Sequence, residues 1–471
     1  MAPKGENGIE TGKFHQSGTS AIAPGFQRGL LIVAVVLVLG LAACLGLSDA
    51  DKRYNSGVVL LEEGRFEEAI AEFNLALFLD GSMAAAFHNR ALAEQRMGSL
   101  VSAVKDYTLA INLLPDLALP YANRGIAYFE TGDLQSALRD LNRSLELDGD
   151  SVSALTQLGL VLMDLGRTEE ALNSLGRAIE LDPEYYPAYG NRGIAYSRAG
   201  ETRLALADYG KAIEINPDYG LAYGNRGSIY LLQGDLALAI ADLDRTIELD
   251  PGSASGYVNR GVVLAASGQL ILAVEDYGKA ILADPTSLNA YMNRASAYDG
   301  LGRYAAAVSD YGNALQLAPG SATLYTNRGA SFHAQNDLQK ALEDFEKAVS
   351  LDPTSVPAWY NLGVVHEDLG ELERAVADYG QAISFEPENI DALINRALVY
   401  STLGQYATAI ADMDLVVEVD PTYAKAYLVR ASAHANLGMG PKSQADIDRA
   451  VALGIDRVKA ESNVAGTSPS P

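Results

Sequence analysis

The chain has 471 residues, with 35 basic and 60 acidic side chains and a formal net charge of −25. So acidic a protein is a poor ligand for nucleic acid and for anionic lipid headgroups, because both are bound mainly through cationic side chains. It contains a single cysteine, Cys44, which excludes an intrachain disulfide framework and a cluster of thiolate metal ligands.

The N-terminal region divides into a polar head and an uncharged run. Residues 1–28 are rich in Gly, Ser, Thr and Ala without a helical or strand period, and we expect them to be disordered. Residues 29–47 carry no charge. As a helix this run would be just under ~30 Å long, enough to cross the core of a bilayer. It therefore predicts one N-terminal transmembrane or signal-anchor helix.

A lipoprotein signal is the second interpretation of the same run. The sequence Leu-Ala-Ala-Cys ending at Cys44 is typical of a site where a signal is cleaved and the cysteine receives lipid. However, the head before Arg28 is long for a signal peptide, and apolar residues continue beyond Cys44. We therefore favour a retained span, with lipid anchoring through Cys44 as the alternative. Basic residues before the run and acidic residues after it favour a cytoplasmic N-terminus and an extracytoplasmic body.

From residue 50 onward one 34-residue pattern recurs. Segments such as YANRGIAYFETGDLQSALRD and YGNRGIAYSRAGETRLALAD align on a small residue that follows Asn-Arg. Twelve units follow one another from 50 to 457 without an insertion or a deletion. The aligned residues are Gly57, Ala91, Gly125, Gly159, Gly193, Gly227, Gly261, Ala295, Gly329, Gly363, Ala397 and Ala431.

Each unit is typical of two helices joined by a turn. A Gly lies seven residues after every aligned residue except one, where Asn336 replaces it, and both residue types favour a turn with positive φ. Five residues later an Ala, or Ser443 in the last unit, marks a place where two helices approach closely. A Pro ends most units, since Pro cannot continue a helix.

This helix-turn-helix pattern resembles the tetratricopeptide repeat. The resemblance implies an all-α, right-handed α-solenoid whose first helices line a concave groove and whose second helices lie outside. Because one helix pair cannot bury its apolar face alone, neighbouring units would stack into a continuous core. We expect residues 458–471, which end in Gly-Thr-Ser-Pro-Ser-Pro, to form a disordered tail.

Ten of the units place an Asn two residues before the aligned residue, inside the first helix, although Asn is a mediocre helix former. In tetratricopeptide repeats this position faces the groove. A row of asparagines there is similar to the solenoid of O-linked N-acetylglucosamine transferase, whose amides bind the backbone of an extended peptide. One amide offers a donor and an acceptor to a peptide unit. Alternatively, the amides bond to the neighbouring helix and organise the groove wall, and both roles can hold together. The predicted peptide-binding residues are Asn55, Asn89, Asn123, Asn191, Asn225, Asn259, Asn293, Asn327, Asn361 and Asn395.

An Arg beside this position and an Asp sixteen residues later occur together in nine units. We expect them to pair between the two helices, because a buried Arg without a carboxylate is costly. One unit has Leu158 and Ser174 instead, so both partners are absent together. Leu362 with Asp378 breaks the correlation.

No catalytic, metal or cofactor site is predicted. The five histidines lack a ligand partner at helical spacing, and His366 and His434, which share one repeat position, are expected to pack in the core. Neither a glycine-rich phosphate loop nor a serine-centred elbow is present. We therefore expect no enzyme and no small-molecule substrate.

The sequence favours a membrane-anchored protein–protein interaction scaffold that binds extended segments of partner proteins. The groove lacks the several Lys and Arg of the carboxylate-clamp subfamily, which disfavours acidic C-termini as partners. The alternative is an envelope assembly or structural component that docks through its convex surface or self-associates.

Overall fold

The computed structural model describes residues 47–465, which form helices joined by short turns. The chain divides into two compact units, the first ending at Asp250 and the second beginning at Pro251. The helices of the first unit are α1 (Asp49–Glu62), α2 (Phe66–Leu79), α3 (Ala84–Arg96), α4 (Leu100–Leu113), α5 (Ala118–Glu130), α6 (Leu134–Leu147), α7 (Val152–Asp164), α8 (Thr168–Leu181), α9 (Tyr186–Arg198), α10 (Thr202–Ile215), α11 (Gly220–Gln233) and α12 (Leu236–Leu249). Those of the second unit are α13 (Ala254–Ala266), α14 (Leu270–Ala283), α15 (Leu288–Gly300), α16 (Tyr304–Leu317), α17 (Ala322–Ala334), α18 (Leu338–Leu351), α19 (Val356–Asp368), α20 (Leu372–Phe385), α21 (Ile390–Thr402), α22 (Tyr406–Val419), α23 (Ala424–Asn436), α24 (Gly440–Ala452) and α25 (Arg457–Ala465).

The odd-numbered helices up to α23 are called first helices here, and the even-numbered ones second helices. Within each unit every first helix packs against the second helix that follows it, and every second helix packs against the next first helix. An all-α helical repeat is therefore confirmed for both units.

The predicted span at 29–47, the predicted disordered head at 1–28 and Cys44 lie outside the described residues, apart from Leu47 at the end of the span. Between residues 47 and 465, no helix has both the length and the apolar character needed to cross a bilayer. The N-terminal anchor and the location of the protein remain predictions.

The turn inside each helix pair contains a residue in the left-handed conformation. The predicted glycines have φ values between 70° at Gly302 and 81° at Gly132. Asn336 has a φ of 61° and is the one residue other than Gly with positive φ in the described part of the chain. Gly and Asn enter this region at the lowest steric cost, so the predicted turns are confirmed.

Small residues allow the two helices of a pair to lie close together. The predicted alanines of the second helices, from Ala69 to Ala409, are fully buried. On the first helices, Gly193 lies against the ring of Tyr209, and a Cβ on this glycine would lie 2.6 Å from Cε1 of the tyrosine. A side chain at such a position would force the aromatic ring out of the core.

All nine predicted Arg–Asp pairs are formed between first and second helices. Arg192 donates from Nε and Nη2 to the two carboxylate oxygens of Asp208, at 2.7 and 2.8 Å. The rings of Tyr189 and Tyr196 flank the same guanidinium, with centroids 5.6 and 5.8 Å from Cζ. The nine pairs are Arg90–Asp106, Arg124–Asp140, Arg192–Asp208, Arg226–Asp242, Arg260–Asp276, Arg294–Asp310, Arg328–Asp344, Arg396–Asp412 and Arg430–Asp446. Two parallel charge-assisted bonds and a buried carboxylate make each pair a rigid link.

The remaining nitrogen of these arginines, Nη1, points toward the preceding helix pair. Nη1 of Arg90 donates to Oδ1 of Asn74 on α2, at 2.6 Å. Equivalent bonds join Arg124 to Thr108 at 2.9 Å and Arg430 to Asp414 at 2.6 Å. At several other arginines a Gly occupies the place of the acceptor, as at Gly278, where an added Cβ would lie 3.6 Å from Nη1 of Arg294. Arg90, Arg124 and Arg430 therefore also join their helix pair to the preceding one.

A histidine replaces the missing arginine opposite Asp378. This aspartate is buried on α20, and Leu362 stands where the other pairs have Arg. Nδ1 of His366 lies 2.5 Å from Oδ2 of Asp378, and this contact opposes the effect of burial, which raises the pKa of the carboxyl. His434 makes the same contact with Asp446, at 3.0 Å. Both histidines are buried as expected, but their bonds to carboxylates were not predicted.

Within the predicted disordered tail at 458–471, residues 458–465 are helical, and residues 466–471 lie outside the described part of the chain. Helix α25 includes Ala460 and Val464, which are buried and pack with Ala431 and Ile447 of the last helix pair. These two side chains lie four residues apart and so share one helix face. The helix covers apolar surface that the last pair would otherwise expose.

Replacing His366 with Ala should strongly destabilise its helix pair, since Asp378 then loses its hydrogen-bonding partner in a buried site. We expect a loss of roughly 3 kcal/mol in local stability. His434→Ala is the matched control, because Asp446 keeps Arg430. Hydrogen exchange of Val356–Asp368 and Leu372–Phe385, against Ala424–Asn436 and Gly440–Ala452, measures both effects. Equal losses in the two variants would contradict this role of His366.

Candidate peptide-binding face

The predicted asparagines lie along consecutive first helices in each compact unit. None of the ten is exposed, and Asn191 and Asn225 are buried, with 7% and 9% of their surface exposed. We call the surface that carries Asn55, Asn89, Asn123, Asn191 and Asn225 in the first unit, and Asn259, Asn293, Asn327, Asn361 and Asn395 in the second, the asparagine face. Asn89, Asn123 and Asn395 lie at the contact between their first helix and the first helix before it.

Two asparagines bond to a tyrosine of the preceding first helix. Nδ2 of Asn89 donates to the hydroxyl of Tyr54, and Nδ2 of Asn395 donates to the hydroxyl of Tyr360, both at 3.0 Å. Each tyrosine lies 35 residues before its asparagine. In these pairs the amide organises the wall of the face, as the structural alternative predicted.

A third asparagine bonds to a buried histidine. Nδ2 of Asn123 lies 3.3 Å from Nε2 of His88, again 35 residues earlier. Burial lowers the pKa of His88 to about 4, so its ring is neutral at pH 7 and Nε2 can accept the hydrogen bond. These three partners were not predicted. The sequence feature that indicates them is a Tyr or His immediately before the Asn of the preceding unit.

The other seven amides make no side-chain hydrogen bond to another residue between 47 and 465. They are Asn55, Asn191, Asn225, Asn259, Asn293, Asn327 and Asn361. Nδ2 of Asn225 in the first unit and Nδ2 of Asn259 in the second are buried without an acceptor in this part of the chain. A buried donor without a partner costs roughly 1–3 kcal/mol.

The residue 35 positions earlier explains why these amides lack a partner. For Asn225 that residue is Gly190, which has no side chain. For Asn191 it is Thr156, whose hydroxyl donates to the carbonyl of Val152 at 2.8 Å. The face therefore contains amides of two kinds, some bonded to the wall and some available to another molecule.

Half-buried carboxylates make the asparagine face acidic. In the first unit, Gln95 donates to Oε2 of Glu130 at 2.9 Å, and burial raises the pKa of this glutamate. In the second unit, the hydroxyl of Tyr379 donates to Oε2 of Glu367 at 2.9 Å, and burial raises the pKa of that carboxyl as well. These groups favour neutral or basic ligands over acidic ones.

Asp299 on α15 is the most strongly perturbed of these carboxylates. Burial raises its pKa to about 6, although Ser331 of the next first helix donates to its Oδ1 at 2.8 Å and Tyr311 bonds to it as well. No group of three or more His, Cys, Asp or Glu side chains in the described residues could hold a metal ion.

Comparison with known families agrees with the repeat geometry. Family models described as TPR repeat match residues 159–200 and 329–370, and models described as tetratricopeptide repeat match 119–151, 191–254, 288–321, 356–389 and 379–411. Together these matches cover more than half of the chain. The chain is a tetratricopeptide-repeat protein.

No curated protein matches this tetratricopeptide-repeat protein. Among solved structures, it is similar to the crystal structure of the APC/C hetero-tetramer Cut9-Hcn1, with 15% identity and a TM-score of 0.44, over 92% of this chain and 98% of that one. It is also similar to the crystal structure of yeast Tom70, with 16% identity and a TM-score of 0.39, over 82% of this chain and 95% of that one.

Replacing Asp299 with Asn should stabilise the protein at pH 7. The folded-state pKa of about 6 lies above the value of about 3.9 expected in the unfolded chain, so ionisation costs stability as the pH rises from 4 to 6. Asn can still accept the bond from Ser331. We expect a gain of roughly 1 kcal/mol at pH 7, since partial exposure screens the charge, and almost none at pH 4. Denaturant unfolding of the native protein and the variant at both pH values measures the gain. A gain independent of pH would contradict this cost of ionising Asp299.

Proposed function

We propose that this tetratricopeptide-repeat protein is a membrane-anchored scaffold that binds extended segments of partner proteins on its asparagine face. One observation carries the proposal: seven amides on this face lack a partner between residues 47 and 465, and two of them have a buried Nδ2. A peptide carbonyl would satisfy such a donor, and a peptide N–H would satisfy the amide oxygen. The half-buried carboxylates of the same face favour neutral or basic segments.

The repeat architecture suits a ligand in extended conformation. We propose that twelve units extend from residue 50 to 457, each presenting one first helix to the face. An extended peptide repeats its backbone groups along its length, so amides repeated once per unit can bind it without reading each side chain. Sequence selectivity would then come from the residues around the amides.

The anchor is the second part of the proposal. The uncharged run at 29–47 would cross the bilayer once, with the N-terminus in the cytoplasm and the repeats outside it. A lipid on Cys44 is the alternative anchor. Ser48 caps α1, with its hydroxyl accepting from the N–H of Asp51 at 3.1 Å, so the repeats begin directly after the run.

Substituting Asn259, Asn293 and Asn327 together with Ala tests the peptide site, because these three open amides lie on consecutive first helices of the second unit. Peptides that bind the full-length protein are first selected from a displayed library of unstructured sequences. We expect the triple variant to bind them at least about tenfold more weakly, because three hydrogen bonds worth roughly 1 kcal/mol each are lost. Fluorescence anisotropy measures the dissociation constants.

The matched control replaces Asn89, Asn123 and Asn395, whose amides bond to the wall of the face. This variant should keep most of the affinity and lose thermal stability instead, because Tyr54 and Tyr360 lose a hydrogen-bond donor. Unchanged affinity in the first variant would contradict the peptide site. It would favour docking through the second helices or self-association.

The intact mass of the mature protein tests the anchor. We expect a chain that retains residues 29–47 and leaves the membrane fraction only with detergent. A chain that begins at an acylated Cys44 would replace the span with the lipid anchor. A chain found without detergent in the soluble fraction would contradict both.

A further inference from the structure

The second helices of the first compact unit differ sharply in their outer surface. On α6, α8, α10 and α12, a basic residue is followed three residues later by Glu. These pairs are Arg143–Glu146, Arg177–Glu180, Lys211–Glu214 and Arg245–Glu248, with N–O distances of 2.9, 3.5, 2.9 and 3.2 Å. On α2 the same two positions hold Leu75 and Phe78, and on α4 they hold Leu109 and Asn112. The ion pairs are thus replaced by uncharged residues in the first two helix pairs, three of them apolar.

The apolar residues continue around one edge of these two pairs. The side chains are exposed, from 88% for Phe78 to 40% for Leu113. We call this set the apolar edge; it comprises Phe78, Leu79, Leu113, Leu114, Leu117 and Leu119. All six lie at or just beyond the C-terminal ends of α2 and α4, or at the start of α5. Exposed apolar side chains grouped in this way indicate a contact surface.

The chain enters the first helix pair at this same edge. Because the helices of a pair are antiparallel, the C-terminus of α2 lies beside the N-terminus of α1, which begins at Asp49. The ion pairs of later repeats support this register. Arg177 contacts Asp150, 27 residues earlier, at 3.2 Å, and the residue 27 positions before Leu75 is Ser48. The end of the uncharged run at residue 47 is therefore next to the apolar edge.

We propose that the apolar edge lies in the interfacial layer of the bilayer and holds the first two helix pairs against the membrane. The inference rests on the proposed anchor, since a run that leaves the bilayer at residue 47 allows almost no linker before α1. Exposed Leu and Phe side chains beside that exit reach the headgroup region and can bury their apolar surface there. The positions of Leu75 and Phe78 carry charged pairs on α6 to α12, where the chain is further from the exit.

The charges around the edge favour a zwitterionic surface. Asp80 and Asp116 are exposed beside it, and the protein has a net charge of −25. Anionic headgroups would repel these groups. The apolar edge therefore docks through its Leu and Phe side chains, and phosphatidylcholine is the matching lipid.

A fluorescent label in the full-length protein tests the contact. Cys44 is the single cysteine, so Cys44→Ser gives a background in which Phe78→Cys is labelled alone with an environment-sensitive dye. The protein is reconstituted into phosphatidylcholine vesicles that carry a nitroxide either near the headgroup or near the chain end. We expect fluorescence at residue 78 to be quenched most by the nitroxide near the headgroup, and little by iodide in the buffer.

The matched control is Glu180→Cys, at the equivalent position of α8, where we expect quenching by iodide and none by either nitroxide. A second variant, Leu75→Arg with Phe78→Glu, reproduces the pair at Arg143 and Glu146 on an exposed helix face and should keep the fold. In it, a label at Leu114→Cys should lose its quenching by the lipid nitroxide.

Flotation of the same vesicles separates this inference from the anchor. Protein that floats while the label at residue 78 is open to iodide overturns the docked edge and leaves the anchor intact. Protein that does not float, with a label that the nitroxide does not quench, overturns both. A label at residue 78 that neither quencher reaches shows that protein covers the edge, which also overturns contact with lipid.

Discussion

In nine helix pairs, a guanidinium packed on one or two aromatic rings and bonded to a buried carboxylate joins the first helix to the second. Placing either charge alone in this position would be costly, because its hydration is lost without compensation. The bidentate geometry at Arg192 and Asp208 restores the lost hydrogen bonds. The constraint explains the exceptions: Leu158 and Ser174 remove both partners, and His366 takes the place of the guanidinium beside Asp378. A first and a second helix can therefore bury the Asp carboxylate between them only where a side chain that bonds to it is also present.

The repeat period predicted what every unit shares. The turn residues, including Asn336, and the nine Arg–Asp pairs follow from spacing alone, because a contact inside one unit recurs at the same positions in the others. Contacts that occur in only one or two units escaped prediction. The bond of His366 recurs only at His434, and the burial of Ala460 and Val464 has no counterpart in the period, so the pattern could not reveal these neighbours. The asparagines could be located on the first helices, but their partners could not.

The asparagine face shows how one residue type can serve two purposes in a repeat. The ten asparagines share one helical position, and the residue 35 positions earlier determines whether the amide has a partner. A ring that reaches far enough, such as Tyr54, Tyr360 or His88, takes the donor. A glycine such as Gly190 leaves it open. Small changes at that one position could therefore add or remove a ligand contact without altering the helix pair itself.

Nη1 of the paired arginines affects where the repeat array begins to unfold. A stack of repeats loses structure from its ends, since a terminal unit has one neighbour and an internal unit has two. Hydrogen bonds from Arg90 to Asn74, from Arg124 to Thr108 and from Arg430 to Asp414 cross the first two junctions and the last one. Glycines such as Gly278 and Gly312 occupy the acceptor position at junctions further inside. The added cohesion at these three junctions thus lies where fraying would start.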